Sequence, residues 1–337
     1  HRSLFPGNIV LYEHFQNLWV LPALFAAAEL NIAEQLRNGS KSIEEISRLA
    51  NVDCESLYRV LRALSGQGIF QEHRNRYFSN TATSKALLND GESIRHVIRH
   101  HLGKNNWNTL GHLMYTLKTG ENAFQNLYGK SIYNHLENNR EASVLFDKSM
   151  SDLSELSLMP LIRRYDFSRF STIADIGGGE GQFLASLLEK YPACRGILFA
   201  LTEATLHAAN TFTASGVSER VTIISGNFLE SIPVSASLYI LKNIIHNWND
   251  KTCVELMRKI SDSMPYSSRL LIIEMVILPC NRNPLPKLLD LQMLASFEGG
   301  KERTKEEFTR IISEAGLTVK RFIPTIAPLF IIEVVKK

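Results

Sequence analysis

At 337 residues, 45% apolar and 21% charged, with a net charge of +3, the chain has the make-up of a globular protein long enough for two domains with separate cores. So small a positive excess gives no ground for a nucleic-acid or anionic-membrane partner, and no run of about 18 apolar residues exists to span a bilayer. Four scattered cysteines (Cys54, Cys194, Cys253, Cys280) form no CxxC pair, and no histidine cluster has ligand spacing, which predicts reduced thiols, no metal centre and a cytoplasmic setting.

The opening residues show neither a signal-peptide nor a transit-like pattern. From Val10 to Leu36 apolar residues dominate, interrupted by Pro22 and closed by Asn38-Gly39. This predicts helix too apolar for a solvated face, covered in part by a partner subunit or a second domain. Ser42, followed by Glu44 and Glu45, is placed to cap a helix that ends at the turn Asn51-Val52-Asp53. A second helix, Cys54 to Leu64, puts Leu57, Val60, Leu61 and Leu64 on one face. After Gly66 and Gly68, Ile69 to Phe78 alternates around the basic tip Arg74-Asn75-Arg76, as a hairpin does.

Helix, turn, helix, hairpin is the winged-helix outline. The second helix offers only Glu55, Ser56, Arg59 and Arg62 where a DNA-reading helix presents a basic face, so a structural or dimerising role is favoured over DNA binding. Asn89 to Tyr133 is rich in histidine and aromatic residues, including Trp107 and His112, and reads as packing helices with rings available to a pocket. Glu141 to Pro160 predicts a helix with Phe146 and Met150 on its apolar face.

Ser171 to Tyr191 changes character: Thr172 to Ile176 is a short apolar strand, Gly177, Gly178, Gly179 and Gly181 a turn, and Phe183, Leu184, Leu187 and Leu188 one face of a helix. A glycine turn between strand and helix lets a ligand approach the backbone and meet the free N–H groups of the helix start. Further apolar runs follow at Gly196 to Leu201, Val221 to Ser225, Ser237 to Leu241, Arg269 to Met275 and Leu329 to Val335, with helical stretches between most of them. That alternation predicts an α/β domain built on an open, mostly parallel sheet with helices on both faces.

Five segments in this order, ADIGGGEG at 174 to 181, SGNFLESIP at 225 to 233, YILKNIIHNWND at 239 to 250, LLIIEMVILP at 270 to 279 and DLQMLASFEGGKERTKEEF at 290 to 308, resemble the plant and bacterial small-molecule O-methyltransferase family. The resemblance covers nearly the whole chain. It implies an N-terminal all-helical, winged-helix dimerisation domain (residues 1–105), a Rossmann-like class I methyltransferase domain (106–337), a homodimer, and S-adenosylmethionine (SAM) as methyl donor. It also implies His246 as the general base, flanked by Glu274 and Glu302. The matching cofactor positions are Asp175, Gly177, Gly179, Gly181, Asn227, Phe228 and Lys242. Carried over in the same way, Phe146, Met150, Asp290, Met293, Leu294 and Phe297 are candidates for a pocket that suits an aromatic or polyketide-like acceptor, though core packing is as good a reading for each.

The chain departs from the family pattern at the donor site. Where members usually carry Phe-Asp-Leu-Pro at the end of the second strand, it reads Phe199-Ala200-Leu201-Thr202, and Glu203 is the nearest acid that follows. Asn227 and Asn247 replace two further acids. These changes keep open a non-methylating member of the same fold, of cyclase, hydroxylase or decarboxylase type, with weakened or absent use of SAM.

Overall fold

The computed structural model describes residues 5–90 and 92–337, apart from the side chain of Glu203. They gather into two compact units: the chain up to Trp107 with Arg140–Leu153, and Asn108–Asn139 with Ser154–Lys337. The long helix Arg140–Arg164 gives its first part to one unit and the rest to the other.

In the first unit the helix Gly7–Glu29 is continuous past Pro22, which interrupts the apolar run in the sequence. Proline removes one hydrogen bond, to the carbonyl of Leu18, and that half-exposed residue can satisfy the carbonyl with water. Strand β1 (Lys41–Ser42) leads into the helix Ile43–Ala50, whose first turn is capped by the Ser42 side chain accepting from Glu45 N–H. The helix Cys54–Gly66 is capped by Asp53 in the same way. β2 (Phe70–His73) and β3 (Tyr77–Asn80) form the expected hairpin, and β1 pairs with β3, so the wing adds a three-stranded antiparallel sheet to an otherwise helical unit. At its tip Arg76 pairs with Glu55 and lies 4.3 Å over the Tyr58 ring. The core is formed by residues such as Ile32, Leu36, Ile43, Leu61, Phe70 and Phe78. Leu11, Tyr12, Phe15 and Trp19 of the first helix stay at least half exposed, an apolar face without cover among the described residues.

The second unit is organised by one sheet. In chain order its strands are β4 (Thr172–Ile176), β5 (Arg195–Ala200), β6 (Val221–Ser225), β7 (Leu238–Lys242), β8 (Arg269–Ile277), β9 (Arg303–Thr304), β10 (Leu317–Pro324) and β11 (Leu329–Lys336). The spatial order is β10-β11-β8-β7-β4-β5-β6, with β4 to β8 parallel, β11 antiparallel to β8 and β10, and β9 pairing alongside β8. Order reverses at β4, next to β7, so the carboxyl ends of those two strands flank the crevice where open sheets bind ligands.

Period-two alternation divides the side chains between two cores. Ala174, Tyr239, Leu241, Leu270 and Ile272 face one, and Ile173, Leu238, Ile240, Leu271 and Ile273 the other. By the same alternation Asp175, Ala200 and Lys242 follow the second face and Glu274 the first. Among the described residues no helix is long and apolar enough to cross a membrane.

Candidate active site

The glycine turn leaves β4 at Gly177, whose φ of +76° is in the region glycine favours. A side chain there would meet Ile244 Cδ1 at 2.6 Å and Phe228 Cε1 at 3.3 Å. One at Gly178 would run into the carboxylate of Asp175 and the side chain of Leu198. The turn is thus a cradle with backbone at its surface, and its N–H groups lead into the helix Gln182–Lys190.

Asp175, next to last in β4, lies just beneath the turn, 1% exposed, and neither of its carboxylate oxygens has a hydrogen-bond partner among the described residues. Burial pushes its pKa up to about 7 against the opposing pull of Lys242. Lys242, at the end of neighbouring β7, is lowered to about 8, by burial first and against the charges of Asp175 and Glu274. Its ammonium donates to Ser154 Oγ at 2.9 Å and lies 5.9 Å from the Phe183 ring centre. An orphaned buried carboxylate under a glycine cradle is a fit for a cationic ligand that must come close to backbone.

On the rim, Asn227 has spent its side chain locally: Oδ1 accepts from Leu229 N–H at 2.9 Å and Nδ2 donates to Glu230. Ala200 ends β5, 2% exposed, with its carbonyl accepting from Gly226 N–H. In nucleotide-binding βαβ units the acid that meets ribose hydroxyls lies about 20 residues beyond the glycine turn, and Ala200 occupies that stretch. Glu203, the acid that follows, has its side chain outside the described residues.

A second cluster, around His246, is built from three elements. After β7 the chain makes a short turn, Ile245–Asn247, that carries His246. Glu274 comes from β8, on the same core face as Leu270 and Ile272. Glu302 precedes β9, whose pairing of Arg303 with Val276 sets it beside the β8 end. His246 Nδ1 lies 2.8 Å from Glu302 Oε1 and 3.6 Å from Glu274 Oε2. Glu274 Oε1 accepts from the backbone N–H groups of Ile245 at 2.7 Å and His246 at 3.4 Å.

Burial alone pushes the imidazole pKa down. The charge of Glu274 and the hydrogen bond and charge of Glu302 outweigh burial and the repulsion from Arg303, so it rises to about 9. With both carboxylates at Nδ1 the neutral ring keeps its proton there, so Nε2, for which the described residues supply no hydrogen bond, accepts once the imidazolium has lost its second proton. One ligand-type atom from each of the three residues lies within 4.8 Å of the others, but a proton on Nδ1 already accounts for the close pair.

Residues 107–318 match the O-methyltransferase domain and residues 12–90 the O-methyltransferase dimerisation domain. The chain belongs to the O-methyltransferase family. It is 32% identical to phenazine O-methyltransferase of Lysobacter antibioticus, covering 97% of this chain and 96% of that one. To the mitomycin biosynthesis 6-O-methyltransferase of Streptomyces lavendulae it is 31% identical, over 95% and 92% of the two chains. Among solved structures, mitomycin 7-O-methyltransferase resembles it with a TM-score of 0.91 at 29% identity, covering 98% of each chain. A neocarzinostatin-pathway O-methyltransferase, solved with SAM and 2-hydroxy-5-methyl naphthoic acid, has a TM-score of 0.81 at 27% identity, over 95% and 96%.

This O-methyltransferase is therefore a SAM-dependent enzyme, and the cradle above Asp175 has the chemistry SAM needs. The non-methylating reading of Ala200 finds no support among these relatives.

Met293 is buried in the helix Pro284–Ser296, Leu294 of the same helix is 41% exposed, and Phe297 closes it. Asp290 Oδ1 accepts from Glu302 N–H at 2.8 Å. Phe297 packs edge-on to Tyr133 at 6.0 Å, Tyr133 stacks on Trp248 at 6.1 Å, and Trp248 meets Phe228 edge-on at 6.4 Å. A continuous aromatic wall thus runs from the glycine turn past the His246 loop to the helix Pro284–Ser296. His112 stacks on Tyr115 and lies 3.2 Å from Asn126 Oδ1, in the second unit. Phe146, Met150 and Trp107 belong to the first unit, where Phe146 packs edge-on to His100.

Sequence reasoning overlooks Trp248 and Arg303. Arg303, fully buried, donates to the carbonyls of Ile245 at 3.0 Å and Trp248 at 2.8 Å and to Asp250, fastening the His246 loop from its carbonyl side. Its position next to Glu302 in a Lys-Glu-Arg-Thr run was the available signal.

The donor site yields one expected outcome. Ala200→Asp restores a charged hydrogen bond to the ribose, worth roughly 2 to 3 kcal/mol, and tightens S-adenosylhomocysteine binding about 30-fold to 150-fold by calorimetry. An unchanged affinity means that the ribose is held from another direction.

Proposed function

We propose that this methyltransferase transfers the methyl group of SAM to a hydroxyl of a small aromatic or polyketide-like metabolite, with His246 as general base. The observation that carries this reading is the orientation of His246, with Nδ1 set against two buried carboxylates and Nε2 unspent. The relatives support the acceptor class, since their names specify phenazine, mitomycin and naphthoic acid chemistry. The aromatic wall of Phe228, Trp248, Tyr133 and Phe297 supports it too, because flat rings pack on flat rings.

Asp175 would hold a cationic part of SAM, and Gly177, Gly179 and Gly181 would let it lie against backbone. Phe228 and Lys242 would flank it, and Asn227 would sit at the rim. Bound there, SAM supplies a methyl group made electrophilic by its sulfonium.

The work of the chain is to align the acceptor oxygen with that methyl and to take up the hydroxyl proton. His246 Nε2 receives the proton, and the imidazolium that results is stabilised by Glu302 at Nδ1 and by the nearby charge of Glu274. Glu274 also holds the loop by its N–H groups, so the base cannot swing away without unpairing a buried acid.

The proposed assembly is a cytoplasmic homodimer. The matched dimerisation domain and the uncovered Leu11, Tyr12, Phe15 and Trp19 support the dimer. Free thiols at Cys194 and Cys253, both buried, support a reducing compartment.

Two outcomes test the reading. His246→Gln should reduce methyl transfer to hydroxylated naphthoates at least about 100-fold while S-adenosylhomocysteine still binds in calorimetry. In the unaltered enzyme the base is available only when neutral, so the single-turnover rate should climb with pH and level off near the raised histidine value of about 9. A flat profile between neutrality and that point, or a His246→Gln enzyme of near-normal rate, assigns the proton to another group. For assembly, Phe15→Asp with Trp19→Asp should lower the mass seen by light scattering from twice 38.1 kDa to a single 38.1 kDa chain.

A further inference from the structure

We propose that Asp290 is a positioning residue for the base: it fixes Glu302, and through Glu302 the Nδ1 side of His246, and is not a contact for the acceptor. This role rests on His246 being the base. The segment Lys301-Glu302-Arg303 fastens the catalytic loop at successive points. Lys301 N–H donates to His246 O at 2.8 Å, Glu302 Oε1 meets His246 Nδ1 at 2.8 Å, and Arg303 holds the carbonyls of Ile245 and Trp248.

Glu302 is the weak point of that segment. It follows a turn with Gly299 at φ +72° and Gly300, and it precedes the first ladder pair of β9, which begins at Arg303. Neither strand pairing nor helix therefore sets its backbone. The described bond to its N–H comes from Asp290 Oδ1, at 2.8 Å, projected from the helix Pro284–Ser296.

The electrostatics make a chance contact a poor explanation. Asp290 is pushed above the usual carboxylate range, first by burial and then by the charges of Glu302 and Glu307, while the Glu302 N–H and Lys301 act the other way. A carboxylate set beside another carboxylate raises the energy of both. Its place here is accounted for by the backbone N–H it accepts, which sits at the junction where Glu302 turns toward His246. The same helix carries Met293 and Leu294, so a residue predicted from sequence to line the acceptor pocket instead ties that helix to the acid that orients the base.

The experiment needs no acceptor, so it stands apart from the success or failure of the acceptor assignment. Histidine-labelled protein is titrated by NMR, and His246→Gln identifies one resonance among the ten histidines. Glu302→Gln should lower the His246 midpoint by about 1 pH unit or more, because a negative charge at Nδ1 is lost. Asp290→Ala should reproduce about half or more of that fall, whereas Asp290→Asn, whose amide oxygen still accepts the N–H, should leave the midpoint nearly in place.

In the Glu302→Gln background Asp290→Ala should have no further effect on the midpoint, since the two act in series. S-adenosylhomocysteine affinity, read by calorimetry, should change less than about twofold in every variant that folds. If Asp290→Ala does not fold, Asp290→Ser, one bond too short to reach, takes its place. An unmoved midpoint in Asp290→Ala, equal falls in the Ala and Asn variants, or additive effects with Glu302→Gln each overturn the role.

Discussion

Two carboxylates removed from water set the conditions for everything near the catalytic loop. Glu274 and Glu302 are 0% and 2% exposed, and the effective penalty for burying a charge is several kcal/mol unless partners are close and well directed. Here the partners are His246 Nδ1 and the N–H groups of the loop itself. The loop is therefore held by the groups that tune it. Arg303, buried without exposure, fastens the carbonyl side of the same turn and is itself paired with Asp250. The two acids share one imidazole, and these groups come together from the turn after β7, from β8 and from the approach to β9.

The donor side shows the opposite balance. Asp175 is buried without a hydrogen-bond partner, and its pKa rises toward neutrality although Lys242 is near. An unsatisfied acid is a cost to the folded chain, and such costs collect where a ligand later supplies the missing partner. On the rim, Ala200 and Asn227 carry no charge, and the described acid beside Asn227 is Glu230, bonded to its amide. The contrast is one of degree: Glu274 and Glu302 each spend one oxygen on the His246 loop and keep the other unbonded among the described residues, whereas neither oxygen of Asp175 has a partner there.

The aromatic wall joins the two sides. Phe228 follows β6, Trp248 follows the His246 turn, Tyr133 belongs to a short helix far earlier in the chain, and Phe297 ends the helix Pro284–Ser296. Their rings meet only because the sheet brings the carboxyl ends of β4 and β7 next to one another and β8 alongside. The wall has the glycine turn at one end and the helix that carries Asp290 at the other.

Much of this was legible in the residues themselves. The parallel core of the sheet shows as short β-branched runs separated by helical stretches, because strands buried on both faces are apolar throughout. The glycine turn shows because few residues besides glycine accept its backbone angles and the closeness of Ile244 and Phe228. His246, Glu274 and Glu302 were recognisable as a set through their motifs, although no spacing along the chain states that they touch. β10 escaped notice because an edge strand mixes charge with apolar residues, as in Val319-Lys320-Arg321-Phe322. What only the tertiary structure decided is direction: that both acids converge on one ring nitrogen and leave the other free, that Asp290 spends its oxygen on a backbone N–H, and that Arg303 closes the loop. Local sequence sets strand, turn and helix through short-range sterics and burial. Which atom of a side chain meets which partner depends on register between strands remote in sequence, and that becomes determinate only when the sheet has formed.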